Sequence, residues 1–148
     1  MMFAKSIGKV YRIQGRYIFV EVSQKDFGKT VIRLLAKGIE HTSGITGYDN
    51  GKELEVIYHF VYGKKYLNIK IRIDKDKPVI RSIVKEFPGV EIYERECYEL
   101  FGIKFQGNPS MRRLLLGHTS PVNPLRKDAK LEREGVDEKR GKGNEKKK

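Results

Sequence analysis

Between Tyr66 and Asp74 every second side chain is apolar: Leu67, Ile69, Ile71 and Ile73 alternate with Asn68, Lys70, Arg72 and Asp74. A period of two belongs to a strand with one buried and one wet face, because a helix would scatter those residues around its axis. The preceding segment, Glu53 to Tyr62, repeats the pattern with Leu54, Val56, Tyr58 and Phe60, and Gly63-Lys64-Lys65 turns the chain between the two. Asp49-Asn50-Gly51-Lys52 is a hairpin turn that joins this segment to the run Gly44 to Tyr48. Three antiparallel strands with one apolar face require a cover, and the rest of the chain must supply it.

Helical spacing provides that cover. Asp26 is a candidate N-cap for a helix through Lys37, with Phe27, Val31, Leu34 and Leu35 on its buried side and Gly38 as its stop. Pro78 suits a first helical position, with Val79, Ile80, Ile83, Val84 and Phe87 behind it and Pro88-Gly89 as the end. A last helix runs from about Glu91 to Phe101; Tyr93, Cys97, Leu100 and Phe101 form its apolar stripe, and Gly102 stands where a left-handed C-cap is expected. Residues 9–22 read as two short strands around Gln14-Gly15. The expected fold is α+β, an antiparallel or mixed sheet with helices packed on one face, over residues 1–116. From Gly117 onward apolar residues thin out, so residues 117–148 read as an extended basic C-terminal tail, partly disordered alone and ordered by lying on a partner.

Several function classes fall away. The single Cys97 cannot close an intramolecular disulfide or hold an iron–sulfur cluster, and His41, His59 and His118 lack metal-ligand spacing. No phosphate-binding glycine loop occurs, no apolar run reaches membrane-spanning length, and the N-terminus has no apolar signal core, which places the chain in the cytoplasm. The net charge of +12 suggests an anionic partner, but it is spread, +8 over residues 1–116 and +4 over the tail. Tyr58, Phe60, Tyr62 and Tyr66 sit where a sheet core would place them, so no nucleic acid is expected; a basic RNA-binding module is the distant alternative. Cys97 on the apolar stripe reads as a small core residue, and His59 as a structural or surface side chain.

The densest chemistry lies in Tyr93 to Leu116, YERECYELFGIKFQGNPSMRRLLL. Glu94, Arg95, Glu96 and Glu99 crowd one helix, and at least one of them must lie at the edge of the buried stripe, with Arg95 neutralising its acidic neighbours. Arg112 and Arg113 precede three leucines after a Pro turn, either as a terminal strand of the sheet or as a surface that docks another subunit.

This stretch resembles the signature of the NuoC family, the thirty-kilodalton peripheral-arm subunit of respiratory complex I and its relatives. Glu94-Arg95-Glu96, then Glu99, Leu100 and Phe101, then Gly102-Ile103, and later Arg112 with Leu114 and Leu115, follow the family pattern. Asn108 departs from it, standing where the family usually has His or Lys. The resemblance implies a subunit with no cofactor and no active site of its own. It braces a NuoD-like large subunit similar to that of nickel–iron hydrogenases, beside a NuoB-like iron–sulfur subunit, with the membrane arm reached indirectly. It implies a peripheral location on the cytoplasmic face of the cell membrane. A subunit interface at Glu94, Arg95, Glu96, Glu99, Phe101, Gly102, Arg112, Arg113, Leu115, Leu125 and Arg126 follows from it. The parent complex is expected to be ion-translocating and of archaeal or membrane-bound-hydrogenase type; the alternative is a NuoC subunit of an NADH-, deazaflavin- or ferredoxin-fed quinone oxidoreductase. A high charged fraction of 34% also fits a heat-adapted source.

Overall fold

The structure, a computed structural model, describes residues 2–117 and 120–129. The chain runs α1 (Met2–Ile7), β1 (Lys9–Gln14), β2 (Tyr17–Glu21), α2 (Gln24–Ala36), β3 (Thr42–Asp49), β4 (Leu54–Tyr62), β5 (Lys65–Ile73) and β6 (Val79–Arg81). A single 3-10 turn, Pro88–Val90, then leads into α3 (Glu91–Phe101) and β7 (Lys104–Gln106). One five-stranded sheet has the order β1-β2-β5-β4-β3. It is mixed: β2 pairs with β5 in parallel and the other neighbours are antiparallel.

The alternation sets the register. Tyr58 faces Ile69 across β4 and β5, and Val56 faces Ile71, so the apolar residues of both strands share one face. Leu54, Val56, Tyr58 and Phe60 are all fully buried there, as are Ile69 and Ile71. Helix α2 places Phe27 against Tyr58, with ring centroids 5.0 Å apart, and α3 covers the β3 side of the same face. The α+β reading with helices on one sheet face therefore holds, but the sheet has five strands, since β1 and β2 join the expected three.

Three local expectations are corrected. The N-cap of α2 is Ser23, whose Oγ accepts the Asp26 N–H at 3.2 Å while its hydroxyl donates to Asp26 Oδ2 at 2.7 Å. Asp26 thus completes a reciprocal cap from inside the first turn. Leu35, placed on the buried side of α2, is 38% exposed. No helix starts at Pro78. Val79–Arg81 instead pairs in parallel with β7, Ile80 beside Phe105, and the Lys104 N–H donates to Pro78 O at 2.7 Å. The cause lies just downstream, where the Ile83 N–H is taken by a carboxylate of α3 instead of an i−4 carbonyl.

Among the described residues, no helix is long and apolar enough to cross a membrane.

Candidate functional site: the buried carboxylates of α3 and the strap they hold

Helix α3 lacks a side-chain N-cap but ends as the sequence dictates, with Gly102 at φ 74° in the left-handed region. A Cβ at Gly102 would also meet Asn123 Nδ2 at 2.6 Å, so this glycine serves both the cap and the close approach of the later chain. The stripe facing the sheet is Glu94, Cys97 and Phe101, at i, i+3 and i+7. Tyr93, expected on it, is only half-buried, and Glu94 is fully buried at its edge. Phe101 and Cys97 press on β3 at Gly47, where a Cβ would lie 2.6 Å from the Phe101 ring and 3.4 Å from Cys97 Sγ.

Glu94 is fully buried and has three donors: Ser82 Oγ at 2.6 Å, Asn108 Nδ2 at 2.8 Å and the Ile83 N–H at 3.0 Å. All three are neutral. Burial raises its pKa above the ordinary Glu value, and the bonds from Ser82, Asn108 and Ile83 oppose that rise without cancelling it. Asn108 thus occupies a structural position: it ties the Pro109 turn to α3 and accepts the Ser110 N–H through its Oδ1 at 2.9 Å.

Glu99, 4% exposed, does the opposite work on the other flank. Its carboxylate accepts three consecutive backbone N–H groups, Leu114 at 3.1 Å, Leu115 at 2.7 Å and Leu116 at 3.0 Å. Burial pushes its pKa up, but these three bonds, helped by the Arg113 charge, outweigh it and hold the pKa below the ordinary value. The three leucines therefore form neither a strand nor a helix. They are a strap wound around one carboxylate.

Arg95 differs from expectation. It makes no ion pair with Glu94, Glu96 or Glu99 among the described residues; its Nε and Nη2 donate to the carbonyls of Arg112 and Arg113 at 3.4 and 3.2 Å. Glu94 and Glu99 are already filled by other donors. Arg113 in turn donates to Gly117 O at 3.2 Å and Ser120 O at 3.3 Å, closing the next loop. Glu96 and Arg112 take no part in this network through their side chains: Glu96 is half-buried and the Arg112 side chain exposed.

The arm beyond lies on its own domain. The Leu125 N–H donates to Leu100 O at 3.1 Å, and the Lys127 N–H donates to Asp49 Oδ2 at 2.8 Å. Asp49, 3% exposed, also binds Lys75 Nζ at 2.9 Å; Arg126 Nη2 reaches Lys75 O, while its Nε pairs with Asp128 at 2.9 Å. Sequence reasoning missed Asp49, Lys75 and Ser82, because a hairpin Asp and an isolated Ser carry no pattern that reveals a distant partner. Val122 and Leu125 of the arm are 73% and 54% exposed, and Leu115 of the strap is 62% exposed. The Lys-rich end beyond Gly135 and His118 lie outside the described residues.

Burial pushes the Cys97 thiol up to about 12, so it carries no thiolate at neutral pH. His59 lies on the outer sheet face between Asn68 and Thr46, at 2.7 and 2.8 Å. Among the described residues, no three of His, Cys, Asp and Glu come together in a way that could hold a metal ion.

Residues 20–135 match the family described as "Respiratory-chain NADH dehydrogenase, 30 Kd subunit". The C-type subunit of the NADH-quinone oxidoreductase of Moorella thermoacetica is 33% identical over 90 residues, covering 60% of this chain and 61% of that protein. Its counterpart in Xanthobacter autotrophicus is 42% identical over 79 residues, 52% of this chain and 37% of that protein. The matched part thus spans between about 37% and 61% of these relatives' length. Among solved structures, a trypsin-resistant fragment (1-134) of Nqo5 superposes with a TM-score of 0.65 at 21% identity, covering 72% of this chain and 92% of that one. A chain of a membrane-bound sulfane sulfur reductase, an archaeal respiratory membrane complex, gives 0.68 at 22% identity, covering 78% and 72%. At such identities the likeness shows the fold, while the sequence match over residues 20–135 shows the family: this chain belongs to the family of the 30-kilodalton subunit of respiratory-chain NADH dehydrogenase.

Proposed function

We propose that the chain is a cofactor-free scaffold subunit of a complex I-related, ion-translocating redox complex at the cytoplasmic face of the cell membrane. In this reading the strap and arm beside α3 brace the NuoD-like large subunit, with the NuoB-like iron–sulfur subunit near by. The observation that carries it is the exposed Leu115 on a backbone whose neighbouring N–H groups are fixed by Glu99. An apolar side chain held outward on a rigid strap loses little conformational entropy on docking, which favours a permanent interface. A cleft of about 290 Å³ between α3 and the arm, lined by Tyr98, Glu99, Arg113 and Val122, adds a recess next to it.

The named relatives are subunits of NADH-quinone oxidoreductases, which supports membership of such an assembly. Gentle purification of the tagged chain from its host tests the reading. The account requires a hydrogenase-like large subunit and an iron–sulfur subunit in stoichiometric amounts. Nickel-ligating cysteine pairs in that large subunit would mark a hydrogenase-type complex, and their absence a quinone- or sulfur-reducing one. Recovery of the chain alone would overturn the proposal.

A further inference from the structure

The sheet face opposite the helices is uncovered among the described residues, and its two halves differ in charge. Toward one end, Lys70 pairs with Glu21 at 3.2 Å and with Glu55 at 3.8 Å, and Arg72 with Glu21 at 3.2 Å, so that half is neutralised. Toward the other end the register brings Tyr17 beside Tyr66, and Val61 beside Tyr66 on the next strand. These three are 49%, 37% and 47% exposed. Arg16 and Lys64, in the turns at this end, flank them, both exposed and neither paired with a carboxylate among the described residues. Between the halves lies a rigid polar floor. Asn68, 6% exposed, donates through Nδ2 to Ile18 O at 3.3 Å, which leaves its Oδ1 to accept the His59 Nδ1–H at 2.7 Å.

We propose that the Tyr17–Tyr66 end of this face is a second docking surface, for an acidic stretch with apolar side chains on another subunit of the same assembly. The inference rests on the scaffold reading above. Charge complementarity selects the acidic partner: two unpaired cations around a half-apolar patch attract carboxylates and repel a second copy of a chain carrying +12. The ring geometry favours protein over nucleic acid. Tyr17 and Tyr66 stack on each other, with centroids 4.9 Å apart and planes at 17°, and the Arg16 guanidinium sits 5.9 Å from the Tyr66 centroid. Ring faces that would have to accept bases are thus largely occupied, leaving hydroxyls, ring edges and cations to meet a partner.

The test places a photoreactive benzoylphenylalanine at Tyr66 or, separately, at Leu115, in the full chain within the assembled complex. Light should link the Tyr66 probe to an acidic stretch of a different subunit. Combined Arg16→Glu and Lys64→Glu reversal should cut that yield by roughly tenfold or more and leave the Leu115 link intact. Links from Leu115 to the large subunit, with none from Tyr66 to another subunit, overturn this inference alone. So do Tyr66 links to residues 130–148 of the same chain, to a second copy or to nucleic acid, or a yield unchanged by charge reversal. Absence of any subunit link from both probes overturns the scaffold reading as well.

Discussion

Glu94 and Glu99 are five residues apart on one helix, and their surroundings move their titration in opposite directions. Glu99 ionises more readily in the folded chain than in the unfolded one. Its contribution is therefore complete above the ordinary Glu range, near pH 4.3, and is lost as pH falls through the lowered folded value. Glu94 has the other sign: ionising it costs stability above that range, and acid relieves the cost. Acidification should then free the strap while the Ser82–Glu94–Asn108 cluster stays closed. Hydrogen exchange should show Leu114, Leu115 and Leu116 losing protection as pH falls below the ordinary Glu range, before Ile83 does. Glu99→Gln, which keeps only one acceptor oxygen, should expose the strap already at neutral pH, at a cost of about 1.5–3 kcal/mol. Identical pH profiles for variant and parent would show that another group holds the strap. Glu94→Ala leaves three buried donors without an acceptor, and should cost at least about 3 kcal/mol in a denaturant titration. The sequence showed these carboxylates to be special but not why. Their partners lie 11 to 17 residues away along the chain, in segments with no period of their own.

At the scale of elements, the contact between α3 and β3 depends on a residue with no side chain. Gly47→Ala drives a Cβ into the Phe101 ring, which cannot swing aside as a flexible chain end could. The variant should lose about 1–3 kcal/mol, measured as a lowered denaturation midpoint, whereas Gly89→Ala, where a Cβ meets nothing within 4 Å, should be far milder. Equal losses would mean that α3 can back away from the sheet. Arg95→Ala removes two bonds to strap carbonyls, not a buried ion pair, so we expect about 1–3 kcal/mol, well below the loss from Glu94→Ala. Strands β4 and β5, the hairpin turn and the end of α3 were legible because period and glycine chemistry act locally. The β6 segment was not, since the apolar spacing after Pro78 also satisfies a helix. What decides between them is tertiary: the Glu94 carboxylate captures Ile83, and β7 offers a pairing edge.

At the scale of the whole molecule, a folded domain presents a strap and an arm that are fastened from behind and apolar in front. The family was readable from residues 93–116, because that stretch combines the C-cap, the buried carboxylates and the strap in one run. How residues 120–129 lie was not readable, since one carbonyl of α3 and one hairpin carboxylate hold them, and neither leaves a trace in composition. The core residues from Ala4 to Phe105 all precede the arm, so a chain ending at Gly117 should still fold. It would lose the apolar front of Val122 and Leu125 but keep Leu115. The most direct test is quantitative co-purification with the large subunit for three chains: the parent, the truncation after Gly117, and the parent carrying Leu115→Asp. The account predicts folded variants with retention falling by roughly tenfold or more in each, since burying an unpaired charge or losing two apolar anchors removes more than about 1.4 kcal/mol. Undiminished retention of both variants would contradict it and move the interface away from the strap and arm.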